Sequence, residues 1–133
     1  MVDLKWYKVS KINFENEVQN GTQLKLKNQV KYNVSYMDGD KRCIGKLDFR
    51  VGDEGMQPFE IRIEIEALFT YGDDDEKPDI HTESFDQLFP FVRQVINTTT
   101  SMSGMPGLVI PMMRLERDKV NVASPEEESS PLN

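Results

Sequence analysis

The chain has 133 residues, with 23 acidic side chains against 16 basic ones, a net charge of −7, and a single histidine and a single cysteine. That length supports one hydrophobic core but not two. The acidic balance argues against nucleic acid and anionic membrane surfaces, both of which need concentrated Lys and Arg. One cysteine, Cys43, cannot form an intramolecular disulfide, no apolar run reaches the length of a membrane span, and the N-terminus lacks the layout of a signal peptide. A cytoplasmic protein is the expectation.

The segment Leu4–Phe14 is irregular but rich in Trp, Tyr, Val and Ile, and is read as a first strand. From Leu24 to Tyr36 the even positions are mostly apolar and the odd ones polar, the period of a half-buried strand. Met37-Asp38-Gly39-Asp40-Lys41 reads as a hairpin turn. A third strand follows, with Cys43, Gly45, Leu47, Phe49 and Val51 on one face, and then a turn at Gly52-Asp53-Glu54-Gly55. The fourth has the cleanest alternation: Phe59, Ile61, Ile63, Ile65, Ala67 and Phe69 against Glu60, Arg62, Glu64 and Glu66. Successive hairpins predict an antiparallel sheet with one buried face, whose cover the rest of the chain must supply.

Ser84–Ser103 supplies it as a helix, with Leu88, Phe91, Val92, Val95, Thr99 and Met102 spaced three or four apart, and Arg93, Gln94, Asn97 and Ser101 off that stripe. Ser84-Phe85-Asp86-Gln87 resembles a capping box. Because Pro90 would clash with the Asp86 carbonyl in an unbroken helix from Ser84, either Pro90 lies near the first turn or the helix is kinked there; the favoured reading is a main helix that begins close to Phe89 and ends at Gly104. Leu108–Met113 is then apolar and extended, and Leu115–Val122 is suited to one or two helical turns. The predicted organisation is one α+β domain over residues 1–122 and a disordered acidic tail over residues 123–133.

Chemistry is sparse. His81 lies in an acidic loop and reads as a solvated side chain, and Cys43 reads as a small, buried or half-buried strand residue. One His and one Cys cannot make a structural zinc site, and Asp73-Asp74-Asp75-Glu76 lacks the spaced ligands of a calcium loop. No phosphate-binding glycine loop is present. No enzyme activity and no cofactor are expected. What stands out is adaptable apolar surface around Met102, Met105, Met112 and Met113, which serves either as a binding surface or as part of the core.

Two blocks carry a resemblance. Leu88-Phe89-Pro90-Phe91-Val92-Arg93-Gln94-Val95-Ile96, followed by Gly104-Met105-Pro106-Gly107-Leu108-Val109-Ile110-Pro111, resembles the signature of the SecB export-chaperone family. Departures follow Pro111, where the family continues into a full second helix and this chain reads Met112-Met113-Arg114-Leu115; Met105 also replaces an aromatic residue. The resemblance implies a four-stranded antiparallel sheet with the long helix packed on one face, assembled as a homo-oligomer, dimer or tetramer. It implies an ATP-independent holdase for unfolded or nascent proteins, including those for Sec-dependent export, or a dedicated chaperone for a single partner such as an antitoxin. Carried onto matching positions, the client-binding residues are Met105, Leu108 and Ile110, with Met112 and Met113 as an extension.

Overall fold

The computed structural model describes residues 1–37 and 39–115; Asp38 and the residues after Leu115 lie outside it, and with them the expected helical turns beyond Leu115 and the acidic tail. Four strands, β1 (Asp3–Asn16), β2 (Leu26–Met37), β3 (Arg42–Asp53) and β4 (Phe59–Thr70), precede one long helix, α1 (Lys77–Met102). All strand pairs are antiparallel, in the order β1-β4-β3-β2. Strands β2, β3 and β4 are joined by hairpins, as the alternation predicts. The first strand crosses to the far edge and pairs with β4.

Strand β1 looked irregular for a physical reason. Its pairing with β4 shifts register between Leu4 and Trp6 and again between Val9 and Lys11. Each extra residue flips the alternation to the other face. Leu4, then Tyr7 and Val9, then Ile12 and Phe14 therefore share the helix side although their parity changes twice. A period-two reading sees only noise there.

The core lies between the sheet and α1. It takes one face of β3 (Cys43, Leu47, Phe49, Val51), one of β4 (Phe59 to Phe69), and Ile80, Phe85, Leu88, Phe89, Val92 and Ile96 from the helix. Cys43 is buried as expected, and the apolar surroundings push its thiol up to about 12, so it stays protonated and inert. At the centre the Tyr32 hydroxyl donates to the Ser84 Oγ at 2.6 Å, which donates in turn to the His81 carbonyl. Gly45 makes room for this: a Cβ there would strike the Tyr32 hydroxyl and come within 3.1 Å of the Tyr32 and Phe69 rings.

The helix corrects three expectations. It begins at Lys77, with Pro78 in its first turn where a missing N–H costs nothing, and not near Phe89. Pro90 is accommodated inside it because Pro90 and Asp86 both face solvent, so the carbonyl that loses its partner can turn outward to water. Ser84 is consequently a buried mid-helix residue and not a cap. The expected solvated His81 is instead buried on α1, only 4% exposed, against the edge of Tyr32 with ring centroids 5.1 Å apart. Burial drives its pKa down to about 4, so it is neutral at physiological pH. The acidic loop ahead of it ends at Glu76, so His81 falls in the first turns of the helix and not in the loop.

Candidate functional site

The segment after α1 doubles back along the helix and takes no regular secondary structure. Gly104 adopts φ 94°, a conformation that a side chain disfavours, and so turns the chain at the helix end. Gly107 then lies flat on the helix, where a Cβ would come within 2.8 Å of Asn97 Nδ2 and 3.3 Å of its carbonyl. From there three polar side chains of α1 bind the crossover main chain. Thr100 Oγ1 accepts from the Leu108 N–H at 2.8 Å, Asn97 Nδ2 donates to the Leu108 carbonyl at 3.2 Å, and Arg93 Nε donates to the Ile110 carbonyl at 2.6 Å. Arg93 also reaches Met112 Sδ through Nη1 at 2.9 Å.

The two sequence blocks are thus one device. The helix block supplies Arg93, while Asn97 and Thr100 follow it in the next turns of α1, and the glycine-proline block supplies a backbone narrow enough to meet all three. Irregular backbone resting on apolar surface needs such partners, since each unpaired buried group costs about 1–3 kcal/mol.

Strapped this way, the crossover divides its side chains. Ile110 is 4% exposed and belongs to the core, while Met105, Leu108, Met113 and Leu115 are half-buried against it. Met112 is 52% exposed and Val109 72% exposed. Of the five residues marked from the sequence, Met112 is open to solvent, Met105, Leu108 and Met113 are partly so, and Ile110 anchors the segment from below. Val109 was missed, because an extended run gives no reason to separate it from its neighbours.

The other flank of α1 carries a second apolar surface. A cleft of about 550 Å³ opens between the helix and β1, lined by Tyr7, Val9, Ile12, Phe91, Val95 and Met102 among others. Tyr7 and Phe91 stack across it with centroids 4.2 Å apart. The stripe predicted to face the sheet is split here. Leu88 and Val92 do face it, but Phe91, Val95 and Met102 line the cleft, and Ile96 and Thr100 take their place underneath.

Among the described residues no group of three or more His, Cys, Asp or Glu side chains could hold a metal ion, and no helix is long and apolar enough to cross a membrane. No protein-family model matches the sequence, and no curated protein does. Among solved structures, the chain is similar to the SecB-like chaperone of Mycobacterium tuberculosis in complex with a ChAD peptide from the HigA1 antitoxin. The TM-score is 0.66 at 12% identity, covering 84% of this chain and 87% of that one. The shared architecture is the four-stranded antiparallel sheet with one long helix on its face, so the chain has a SecB-like fold.

Proposed function

We propose that this protein is a chaperone that works by binding segments of other proteins, without nucleotide, cofactor or chemistry of its own. The observation that carries this reading is the strapped crossover, an apolar strip fixed through its backbone with Val109 and Met112 left open and Met105, Leu108 and Met113 half-covered. Apolar burial contributes about 25 cal/mol per Å² before ordering costs, and it does so with little sequence preference. Unfolded or nascent chains in the cytoplasm, including those bound for export, are the clients such a surface fits. The cleft between α1 and β1 is suited to a second copy of the chain, because a twofold axis would bring the same apolar patch of both copies together and bury Tyr7, Phe91 and Met102.

The test is suppression of aggregation of a denatured model enzyme at stoichiometric protein. The wild type is expected to hold the client soluble, and Leu108→Asp and Met112→Asp to lose most of that effect while keeping the fold by circular dichroism. Absence of suppression, or full activity in both variants, would sink the general reading.

A narrower reading is favoured by the similar structure, which was solved with a peptide from an antitoxin. On it, this chain serves one partner. It then co-purifies with a single protein at fixed stoichiometry and leaves model clients to aggregate.

A further inference from the structure

The two edges of the sheet are unlike. Strand β1 is broken by two register shifts, which twist an edge and spoil it for pairing. Strand β2 is regular along its whole length, from Leu26 opposite Asp53 to Met37 opposite Arg42. It pairs with β3 alone, so alternate N–H and C=O groups along its outer side have no strand partner among the described residues.

Its charge is also unlike that of the rest of the chain. In a protein of net charge −7, β2 has no acidic residue. Its solvent-facing row is Lys27, Gln29, Lys31, Asn33 and Ser35, and both lysines are exposed. The neighbouring strand does not neutralise them. Lys27 stands opposite Gly52, Gln29 opposite Arg50, and Asn33 opposite Lys46. Asp48, opposite Lys31, is already held by both ends of the Arg62 guanidinium at 2.8 and 3.1 Å. On its other face, β2 ends the apolar layer with half-buried Leu26 and Val34 on either side of Val30.

The fold shows what complements a lysine-bearing edge strand. Against β1 lies β4, whose apolar residues alternate with Glu64 and Glu66; these stand opposite Lys11 and Lys8, and Lys11 pairs with Glu64 at 3.8 Å. A second copy of β2 does not play that part: it carries no carboxylate to set against the lysines in any register. Antiparallel registers centred on Gln29 or Lys31 set Lys27 against Lys31, or Lys31 against itself, where like charges directly opposite are destabilising.

We propose that the outer edge of β2 takes up an extended segment of a partner protein as a fifth strand, one in which acidic and apolar side chains alternate. Its carboxylates lie along Lys27 and Lys31, and its apolar side chains extend the row of Leu26, Val30 and Val34. Backbone hydrogen bonds supply affinity and the alternation supplies selectivity. The proposal rests on the protein-client reading and makes it more specific: the crossover is unselective, whereas the edge discriminates by charge and period.

The probe is a labelled ten-residue peptide alternating Glu with Val. It is compared by fluorescence anisotropy with an isomer in which the glutamates are grouped, and with a peptide alternating Lys with Val. The alternating acidic peptide is expected to bind at least about tenfold more tightly than either. Hydrogen exchange should slow along Leu26–Met37, and the double substitution Lys27→Glu, Lys31→Glu should reverse the preference between the acidic and basic peptides. Equal binding of the three peptides overturns the proposal, as does protection confined to residues 105–115. So does a change in oligomeric mass on the double substitution, which would assign the edge to a second copy. Aggregation suppression run beside it separates the two claims: if suppression persists and depends on Leu108 while the edge stays unprotected, only this inference falls.

Discussion

The two flanks of α1 carry apolar surface of similar chemistry but hold it in opposite ways. On the crossover flank, Arg93, Asn97 and Thr100 bind main-chain atoms of Leu108 and Ile110, so the position of the segment is set by directional hydrogen bonds. On the β1 flank the contact is side chain on side chain, Phe91 stacked on Tyr7 with Val95, Ile12 and Met102 beside it. Hydrogen bonds to backbone specify where a strip of chain lies and leave its side chains free. Apolar contact specifies little beyond area.

The most disruptive way to break that contrast is to remove the base on which both flanks stand. His81 is neutral in the fold, with its pKa depressed from 6.5 to about 4 by burial. Its unfolded form takes up a proton at higher pH than its folded form does. Stability is therefore fully present above about pH 6.5 and is lost as the pH falls from there through 4, by roughly 2–3 kcal/mol if the burial persists. Denaturation midpoints measured at pH 7 and pH 5 should differ by less in His81→Leu than in the wild type. An equal difference would mean that His81 reaches water in the folded state.

Next in size is Arg93→Ala. Losing a charged donor to a half-buried carbonyl costs about 1.5–3 kcal/mol, and the loss should be local. Hydrogen exchange is expected to accelerate at Leu108–Met112 with little change at Tyr7 or Ile12. Arg93→Lys should recover only part of the protection, since one ammonium cannot serve both the Ile110 carbonyl and Met112. Uniform acceleration across the domain would refute the idea that the strap acts on the crossover alone.

The smallest effect on the monomer is expected at Phe91→Ala. Its ring is half-exposed, so the stability change should be about 1 kcal/mol. Self-association, followed by sedimentation, should weaken much more than stability does. If both change together, the cleft belongs to the fold of one chain and not to a contact between copies.

Much of the fold was legible, and the misses share a cause. Strands β2, β3 and β4 each bury one face, so their alternation reports burial directly. Strand β1 was blurred by two bulges, which no periodicity can follow. The helix was found but started late, because Pro90 looks like a barrier until Asp86 and Pro90 are known to face solvent. Its stripe was misassigned for a related reason: Phe91 and Val95 are apolar on account of the cleft and not the sheet, and hydropathy does not say which neighbour a side chain meets. His81 was misread because local acidity outweighed the helical period that buries it.

For the candidate site, the pairing of two short blocks marked the right segment but not the mechanism of its attachment. Arg93 stood out only as part of a resemblance, and Asn97 and Thr100 gave no signal at all. Side chains that bind a distant backbone have no fixed spacing to the atoms they bind.

By itself, then, the sequence determined which residues want to leave water and with what local period, because those preferences belong to side chains and their immediate neighbours. It also determined a lysine-bearing strand in an acidic chain. Only the tertiary structure decided that this strand is an edge, that β1 closes the far side beside β4, and that α1 has two unlike flanks. Those depend on contacts between residues far apart in the chain, for which no local pattern carries the information.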